Sequence, residues 1–239
     1  MKPSEKHKTR QEHIWLLFDN GDKKLKEYSK YIKGTLVDLG CGETTYKNFF
    51  LQFADNYIGV DWANSIHDSK PDIISDLNKK IELQDEIADT LVSISVIEHL
   101  CEPQVFLNES YRILKEDGHM ILQVPFQYQV HEAPNDYFRY TRYGLEYIFK
   151  KSGFKDIQIS ESGGFWTTIA IKLNEHSVKL LRKTKKYTII MKIVKLLLLP
   201  FWTLNQVIAL ILDKLDKNPN ETMSYWVIAK KYVYMDRSM

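Results

Sequence analysis

The sequence is poor in cysteine, and the two it has, Cys41 and Cys101, stand far apart with no Cys-x-x-Cys spacing. A disulfide framework and a cysteine-based zinc site are therefore not indicated, and a reducing compartment fits. Residues 1–10 are polar and basic and lack an apolar stretch, so no secretory signal is expected. No excess of one charge exists: 33 basic residues against 31 acidic ones leave a net +2, which does not suggest nucleic-acid binding. Internal repeats and low-complexity linkers are also missing. An unbroken apolar run of the ~20 residues needed to span a bilayer is absent, because Lys195, Pro200, Asn205 and Gln206 interrupt the most apolar stretch. What is present is an ordinary globular balance, 44% hydrophobic and 27% charged over 239 residues, enough for one α/β domain with or without an elaboration.

Apolar residues between Gln11 and Lys33, interrupted by Asn20-Gly21-Asp22, predict two short helices or one broken helix. Thr35–Leu39 then reads as a buried strand running into a glycine turn, followed by a helix over Tyr46–Phe53. Further strands are predicted at Tyr57–Asp61, Asp72–Asp76, Thr90–Val96, His119–Val124, Phe154–Ser160 and Tyr225–Tyr232. Between them lie a polar helical stretch at Lys79–Glu86 and a helix from Pro103 to about Lys115, proline being suited to a first helical position. A turn at Glu116–Gly118 and a helix over Arg142–Ser152 complete the series. Alternating strands and helices predict an α/β fold, a Rossmann-like, doubly wound and mostly parallel seven-stranded sheet. The expected organisation is an N-terminal helical segment over 1–34, the Rossmann-like domain over 35–162 and 223–234, and a helical insertion over 163–222.

A strand feeding a glycine-rich turn and then a helix is a nucleotide-binding arrangement. Here the turn is Asp38-Leu39-Gly40-Cys41-Gly42-Glu43-Thr44-Thr45. A dinucleotide fingerprint needs a third glycine near position 45, where Thr45 stands. Asp38 would repel a pyrophosphate but could accept from a cationic ligand group. Asp61, at the tip of the second strand, can take both hydroxyls of a ribose. Trp62 can lie against an adenine, and Asp76 can accept from its amino group.

Val37–Gly42, Gly59-Val60-Asp61, Asp76-Leu77, Ser95–Leu100 and Arg112–Gly118 together resemble, in order and spacing, the class I S-adenosylmethionine-dependent methyltransferases, in particular their type 11 branch. The resemblance covers roughly residues 30–160. It implies that Asp38, Gly40 and Gly42 line the methionine end of S-adenosyl-L-methionine, that Asp61 binds the ribose, that Asp76 and Leu77 meet the adenine, and that Ser95 and Val96 run under the cofactor. A cofactor-binding scaffold without catalysis and a nicotinamide-dependent dehydrogenase are the rivals, the latter disfavoured by the missing third glycine.

The loop from Pro125 to Thr141 resembles a His-x-x-Pro-x-Asp-Tyr-x-Arg-Tyr-Thr segment of glycan-cluster methyltransferases of this branch. It would lie over the methyl group, and it implies O-methylation of a saccharide-containing or lipid-linked small acceptor. His131 is the first candidate for a general base, with Asp136 orienting it; His99 is the second. Arg139 could hold an anionic acceptor group or brace the loop against Asp136. Tyr137 and Tyr140 could stack on a sugar. A metal bound by His131, Glu132 and Asp136 is not demanded by their spacing, and none is expected.

From His176 to Leu212 the chain has no acid, and Lys179, Arg182, Lys183, Lys185, Lys186, Lys192 and Lys195 precede apolar helical sequence. A helix lying at an anionic membrane surface, and a lid or homodimer interface, remain open alternatives, with a true span a third. The expected location is cytoplasmic, either free or peripheral at the inner face of the membrane.

Overall fold

The computed structural model describes residues 3–4, 9–63, 70–183, 188–216 and 218–232; within them the side chains of 182–192 and 195 are left aside. Seven strands form one sheet: β1 (Thr35–Leu39), β2 (Asn56–Asp61), β3 (Ile73–Ile74), β4 (Ala88–Ile94), β5 (Leu114–Pro125), β6 (Lys155–Ser162) and β7 (Ser224–Lys230). Their order across the sheet is β3-β2-β1-β4-β5-β7-β6. Strands β1 to β5 pair in parallel, and β7 runs antiparallel to both β5 and β6. The fold is thus the Rossmann-like α/β arrangement that the alternating pattern predicts.

Both faces of the sheet are buried, which is why its central strands read as continuous apolar runs rather than alternating ones. Met120, Leu122 and Val124 of β5 join Tyr225, Val227 and Ala229 of β7 in the core on one face. The intervening Ile121, Trp226 and Ile228 enter the core on the other. That division is the two-residue period of a strand.

The helices are α1 (Trp15–Tyr28), α2 (Lys47–Phe50), α3 (Pro103–Ile113), α4 (Arg142–Lys151), α5 (Phe165–Lys183) and α6 (Thr188–Leu215). Three expectations need correction. Helix α1 runs unbroken through Asn20-Gly21-Asp22. Asp22 is buried and accepts from the Ser4 amide at 2.8 Å and the Ser4 hydroxyl at 3.0 Å, so tertiary contacts override a glycine cost of about 1 kcal/mol. Residues 79–86 form no helix. The carbonyls of Ile81 and Leu83 accept from Arg112 of α3, and the Ile81 amide donates to Glu109, so these groups are spent on α3 instead of an internal ladder. The turn expected at Glu116–Gly118 lies inside β5, where Asp117 takes φ 59° and its amide donates to the Lys231 carbonyl.

Helices α5 and α6 intervene between β6 and β7. Asp213, near the end of α6, accepts from the amides of Gly164, Trp166 and Thr167 at 2.9–3.2 Å and so satisfies the start of α5. Gln206 is buried and joins α6 to the N-terminal segment: it accepts from the Leu16 amide and donates to the carbonyls of Arg10 and Glu12. Asn205 donates to the Ala170 carbonyl and the Asn174 side chain on α5. The outward side of α6 carries Ile193, Leu197, Phe201, Leu204, Ile208, Ile211 and Leu215, all exposed, Leu197 to 68%. Among the described residues, Leu196–Leu215 is the one helical segment long and apolar enough to cross a membrane.

Candidate active site

The strand order reverses direction between β1 and β4, and open α/β sheets bind ligands beyond the carboxyl ends of the strands at that point. A cleft of about 400 Å³ opens there. Asp38, Gly40 and Gly42 line it from the end of β1, Asp61 and Trp62 from β2, Asp76 and Leu77 from the segment after β3, and Ser95 and Val96 from the end of β4. Every cofactor residue expected from the sequence is therefore gathered in one cavity.

Glycine at position 40 has a local reason. Its φ is +80°, and a Cβ there would lie 2.8 Å from Cγ1 of Val96 and closer still to Cγ2. The amides of Gly40 and Cys41 both donate to the Val60 carbonyl, and that of Gly42 donates to Asp61 at 2.9 Å. These amides are spent inside the protein and do not cradle a phosphate. Ser95 also takes a left-handed φ of 54°, held by its amide on the Gln123 carbonyl at 3.0 Å and its hydroxyl on the Gln123 side chain at 2.7 Å.

The electrostatics of the cleft are one-sided. Asp38, Glu43, Asp61, Asp76 and Glu132 line it, and no lysine or arginine does so among the described residues. Burial pushes Asp38 up to about 7, against the pull of the Tyr57 hydroxyl, which donates to it at 2.8 Å; the nearby Asp61 carboxylate adds to the rise. A buried carboxylate held this way gains most from a ligand that brings positive charge. Asp76 is moved the other way: burial would raise it, but the Asn78 amide and Lys79 outweigh burial and hold it below the usual carboxylate range. Ligands with an ammonium, a ribose and an adenine suit this donor-poor, acceptor-rich wall, whereas a pyrophosphate does not. The residues present thus fit S-adenosylmethionine.

Residues 37–122 match, in sequence, the methyltransferase domain family of type 11. The matched residues and the fold around them are those of a class I S-adenosylmethionine-dependent methyltransferase domain. Its cofactor is S-adenosylmethionine. No curated protein sequence matches the chain. Solved structures with the same fold include phosphoethanolamine N-methyltransferase 2 of Haemonchus contortus, in complex with phosphomonomethylethanolamine and S-adenosylhomocysteine. It is 17% identical over 90% of this chain, with a TM-score of 0.57, and this chain spans 53% of its length. A S-adenosylmethionine-dependent methyltransferase of Archaeoglobus fulgidus is 19% identical, covering 90% of this chain and 94% of its own, at a TM-score of 0.56. The cyclase SpnF is 13% identical over 97% of this chain and 89% of its own, at 0.59, so the fold alone does not fix the reaction.

The loop after β5 folds back over the end of β4. Amides of Tyr137 and Phe138 donate to the Glu98 carbonyl, and Glu132, Asn135 and Tyr137 complete the cleft beside His99. Arg139 donates to both oxygens of Asp136 at 2.6 and 2.8 Å and to the carbonyls of Gln129 and Phe138. Of the two roles the sequence leaves open for Arg139, these contacts are those of a brace. The same guanidinium holds Asp136 down at about 2, with the His131 amide adding to the effect against burial. Tyr140 belongs to the core, 9% exposed, with its hydroxyl toward the Ile97 carbonyl, so it does not reach the cleft to stack on a sugar. His131 sits behind His99 and does not line the cleft; their Nε2 atoms are 3.1 Å apart. Burial and the neighbouring His99 lower the His131 pKa.

Glu98 was not singled out by sequence reasoning. It lies in the short 3-10 turn Ile97–His99 with no exposure, and neither carboxylate oxygen has a hydrogen-bond partner from another residue. Burial pushes it up to about 8, against its own amide and Arg139. Its only signal in the sequence is an acid between apolar neighbours directly beside a histidine. A second cavity of about 130 Å³ shares Tyr46, Ile94 and Ser95 with the cleft and is mostly apolar, lined by Leu17, Phe18, Ile171, Met223 and Trp226, with the uncharged Asn20, Gln123, Ser162, Thr167 and Ser224 among them.

Proposed function

We propose that the chain methylates an oxygen of a saccharide-containing or lipid-linked acceptor, working at the inner face of a membrane. S-adenosylmethionine, when bound, supplies a methyl group activated by its sulfonium. The observation that carries the reading is the position of His99. It lines the same cleft as the cofactor acids, and its Nδ1 is fixed on the Asn135 carbonyl at 2.6 Å. That contact places the ring proton on Nδ1 and leaves Nε2, 3.1 Å from His131 Nε2 and beside the Glu132 carboxylate of the cleft wall, as the unprotonated nitrogen of the ring. Glu98 Oε1 and His131 Nε2 stand 3.7 and 3.1 Å from that same nitrogen, so an incoming acceptor meets the three groups together.

Acceptor chemistry follows from what surrounds the cleft. The adjoining cavity sets uncharged amides and hydroxyls among apolar side chains, which suits a sugar ring with its hydroxyls and its apolar face. Tyr137, 48% exposed at the mouth, offers a ring for a sugar face. The phosphorylated substrate in the nematode structure is not carried over, because no lysine or arginine lines this cleft among the described residues.

The membrane part of the reading is supported by α6. Its buried Gln206 and Trp202 face the protein and its exposed stripe from Ile193 to Leu215 faces outward. A helix anchored along one side is suited to lie on a surface rather than to span it. Basic residues precede the stripe in sequence, Lys179 among them; the side chains of Arg182 to Lys192 and of Lys195 lie outside the described ones.

Mass spectrometry of glycans and lipids from cells with and without the gene tests the acceptor: a methylated species lost in the deletion and restored by the wild-type chain, but not by His99→Ala, is expected. An unchanged profile would contradict the reading. Co-sedimentation with anionic vesicles tests the surface. The wild-type chain should pellet and the double variant Leu197→Glu, Leu204→Glu should not; a wild-type chain that stays in the supernatant and elutes as a dimer would assign the stripe to a second copy instead.

A further inference from the structure

We infer that Glu98, His99 and His131 form a binding site for one divalent transition-metal ion of the zinc class, set in the wall of the cofactor cleft. The three ligand atoms converge. His99 Nε2 and His131 Nε2 are 3.1 Å apart, and Glu98 Oε1 lies 3.7 Å from the first and 3.9 Å from the second. One point lies about 2.1 Å from all three atoms, the distance at which imidazole nitrogens and carboxylate oxygens hold Zn²⁺.

The hydrogen bonding behind the ligands prepares them for a cation. His99 Nδ1 faces the Asn135 carbonyl at 2.6 Å. His131 Nδ1 faces the Gln129 carbonyl and the Asp136 carboxylate, both at 3.3 Å. Arg139 approaches His131 Nδ1 only at 3.5 Å and donates instead to Asp136 and Gln129. Acceptors behind both rings place the proton on each Nδ1, the arrangement that orients metal-ligating histidines. Two bare Nε2 lone pairs then face each other across 3.1 Å, beside a carboxylate that is fully buried and has no donor. Buried polar groups of native proteins are normally satisfied, and a shared cation satisfies all three at once.

Two histidines and one carboxylate leave a coordination position open, which is the composition of catalytic rather than structural zinc sites. Imidazole donors select zinc-like metals over Mg²⁺, which prefers oxygen. His99 presents the site to the cleft, and the Glu132 carboxylate stands 3.9 Å from His99 Nε2 on that side. With the ion bound, His99 Nε2 is a ligand and no longer the base; a hydroxyl bound at the open position would lose its proton more readily, and Glu132 is placed to receive it in place of His99. This role in activating the acceptor rests on the proposed methyl transfer; the binding of the ion does not.

The chelator-stripped full chain is titrated calorimetrically with Zn²⁺ and Mg²⁺, its metal content is read by plasma mass spectrometry, and a Co²⁺-loaded sample is read by visible absorption. One Zn²⁺ per chain, little response to Mg²⁺, and a four- or five-coordinate Co²⁺ spectrum are expected. His131→Ala and Glu98→Gln should each weaken Zn²⁺ by about 100-fold or more, while His176→Asn, on the exposed side of α5, should leave it unchanged. Binding of S-adenosylhomocysteine by the same samples reports folding and separates the two readings. Zn²⁺ uptake without it would leave the metal site standing and the cofactor reading in difficulty. A wild-type chain that binds S-adenosylhomocysteine but takes up no Zn²⁺, or uptake that survives both substitutions in folded protein, overturns the proposal. Should both variants lose their fold, the wild-type stoichiometry and the Co²⁺ spectrum decide it.

Discussion

Gly40→Ala is the smallest change that tests why the cofactor loop has its sequence. The added methyl must adopt φ +80°, a left-handed conformation that costs a non-glycine residue roughly 1–2 kcal/mol. It must also enter space occupied by Val96, 2.8 Å from Cγ1 and nearer to Cγ2. Overpacking of this kind costs about 1–3 kcal/mol, and Val96 cannot simply swing away because it packs against the main core. The sum is about 2–5 kcal/mol, or a fall in Tm of roughly 5–15 °C for a chain of this size. The two costs are separable. Adding Val96→Ala removes the two shortest contacts, leaving only its Cβ at 3.1 Å, but not the backbone strain, so the double variant should recover part of the loss, with a coupling energy of about 1–3 kcal/mol. Urea unfolding gives the stabilities, and calorimetry with S-adenosylhomocysteine should show weaker binding in Gly40→Ala. A single variant within about 0.5 kcal/mol of wild type, with unchanged affinity, would refute the reasoning.

Asp38 should make cofactor affinity depend on pH. Its raised pKa means that the empty chain's contribution from this group is fully present below the ordinary carboxylate value and lost as pH rises through about 7. A cationic ligand needs the carboxylate, so S-adenosylhomocysteine should bind more tightly as pH rises through about 7; Asp38→Asn should flatten the calorimetric profile. Asp136 has the opposite sign. Its stabilisation, about 2 kcal/mol, is present above the ordinary carboxylate value and lost as pH falls through about 2, and urea titrations of Asp136→Asn at neutral and acid pH should converge. Asp213→Ala removes the acceptor of three amides at the start of α5 and should cost about 1–2 kcal/mol, with faster hydrogen exchange at the amides of Gly164, Trp166 and Thr167.

The cofactor half of the site was legible because its chemistry is local to strand ends. Asp38, Asp61 and Asp76 each follow a short apolar run, and the parallel sheet then brings those ends together without further instruction. The acceptor half was less so, because it depends on how one loop folds. Tyr140 and Tyr137 look alike in sequence, yet the amides of Tyr137 and Phe138 tie the loop to the Glu98 carbonyl and send Tyr140 into the core. Glu98 was hidden for a related reason: an acid in an apolar segment gains meaning only when the loop brings His131 to within 3.9 Å of it. The misread helices have one cause in common. At Asn20–Asp22 and at residues 79–86, partners distant in sequence, Ser4 and Arg112, decide the backbone against local propensity.

Calorimetric titration of the purified chain with S-adenosylhomocysteine and, separately, with NAD tests the central claim most directly. A cleft lined by Asp38, Asp61 and Asp76, with no lysine or arginine among its described lining residues, predicts saturable 1:1 binding of S-adenosylhomocysteine that Asp61→Ala abolishes, and no heat from NAD. Tight NAD binding with no response to S-adenosylhomocysteine would contradict the account.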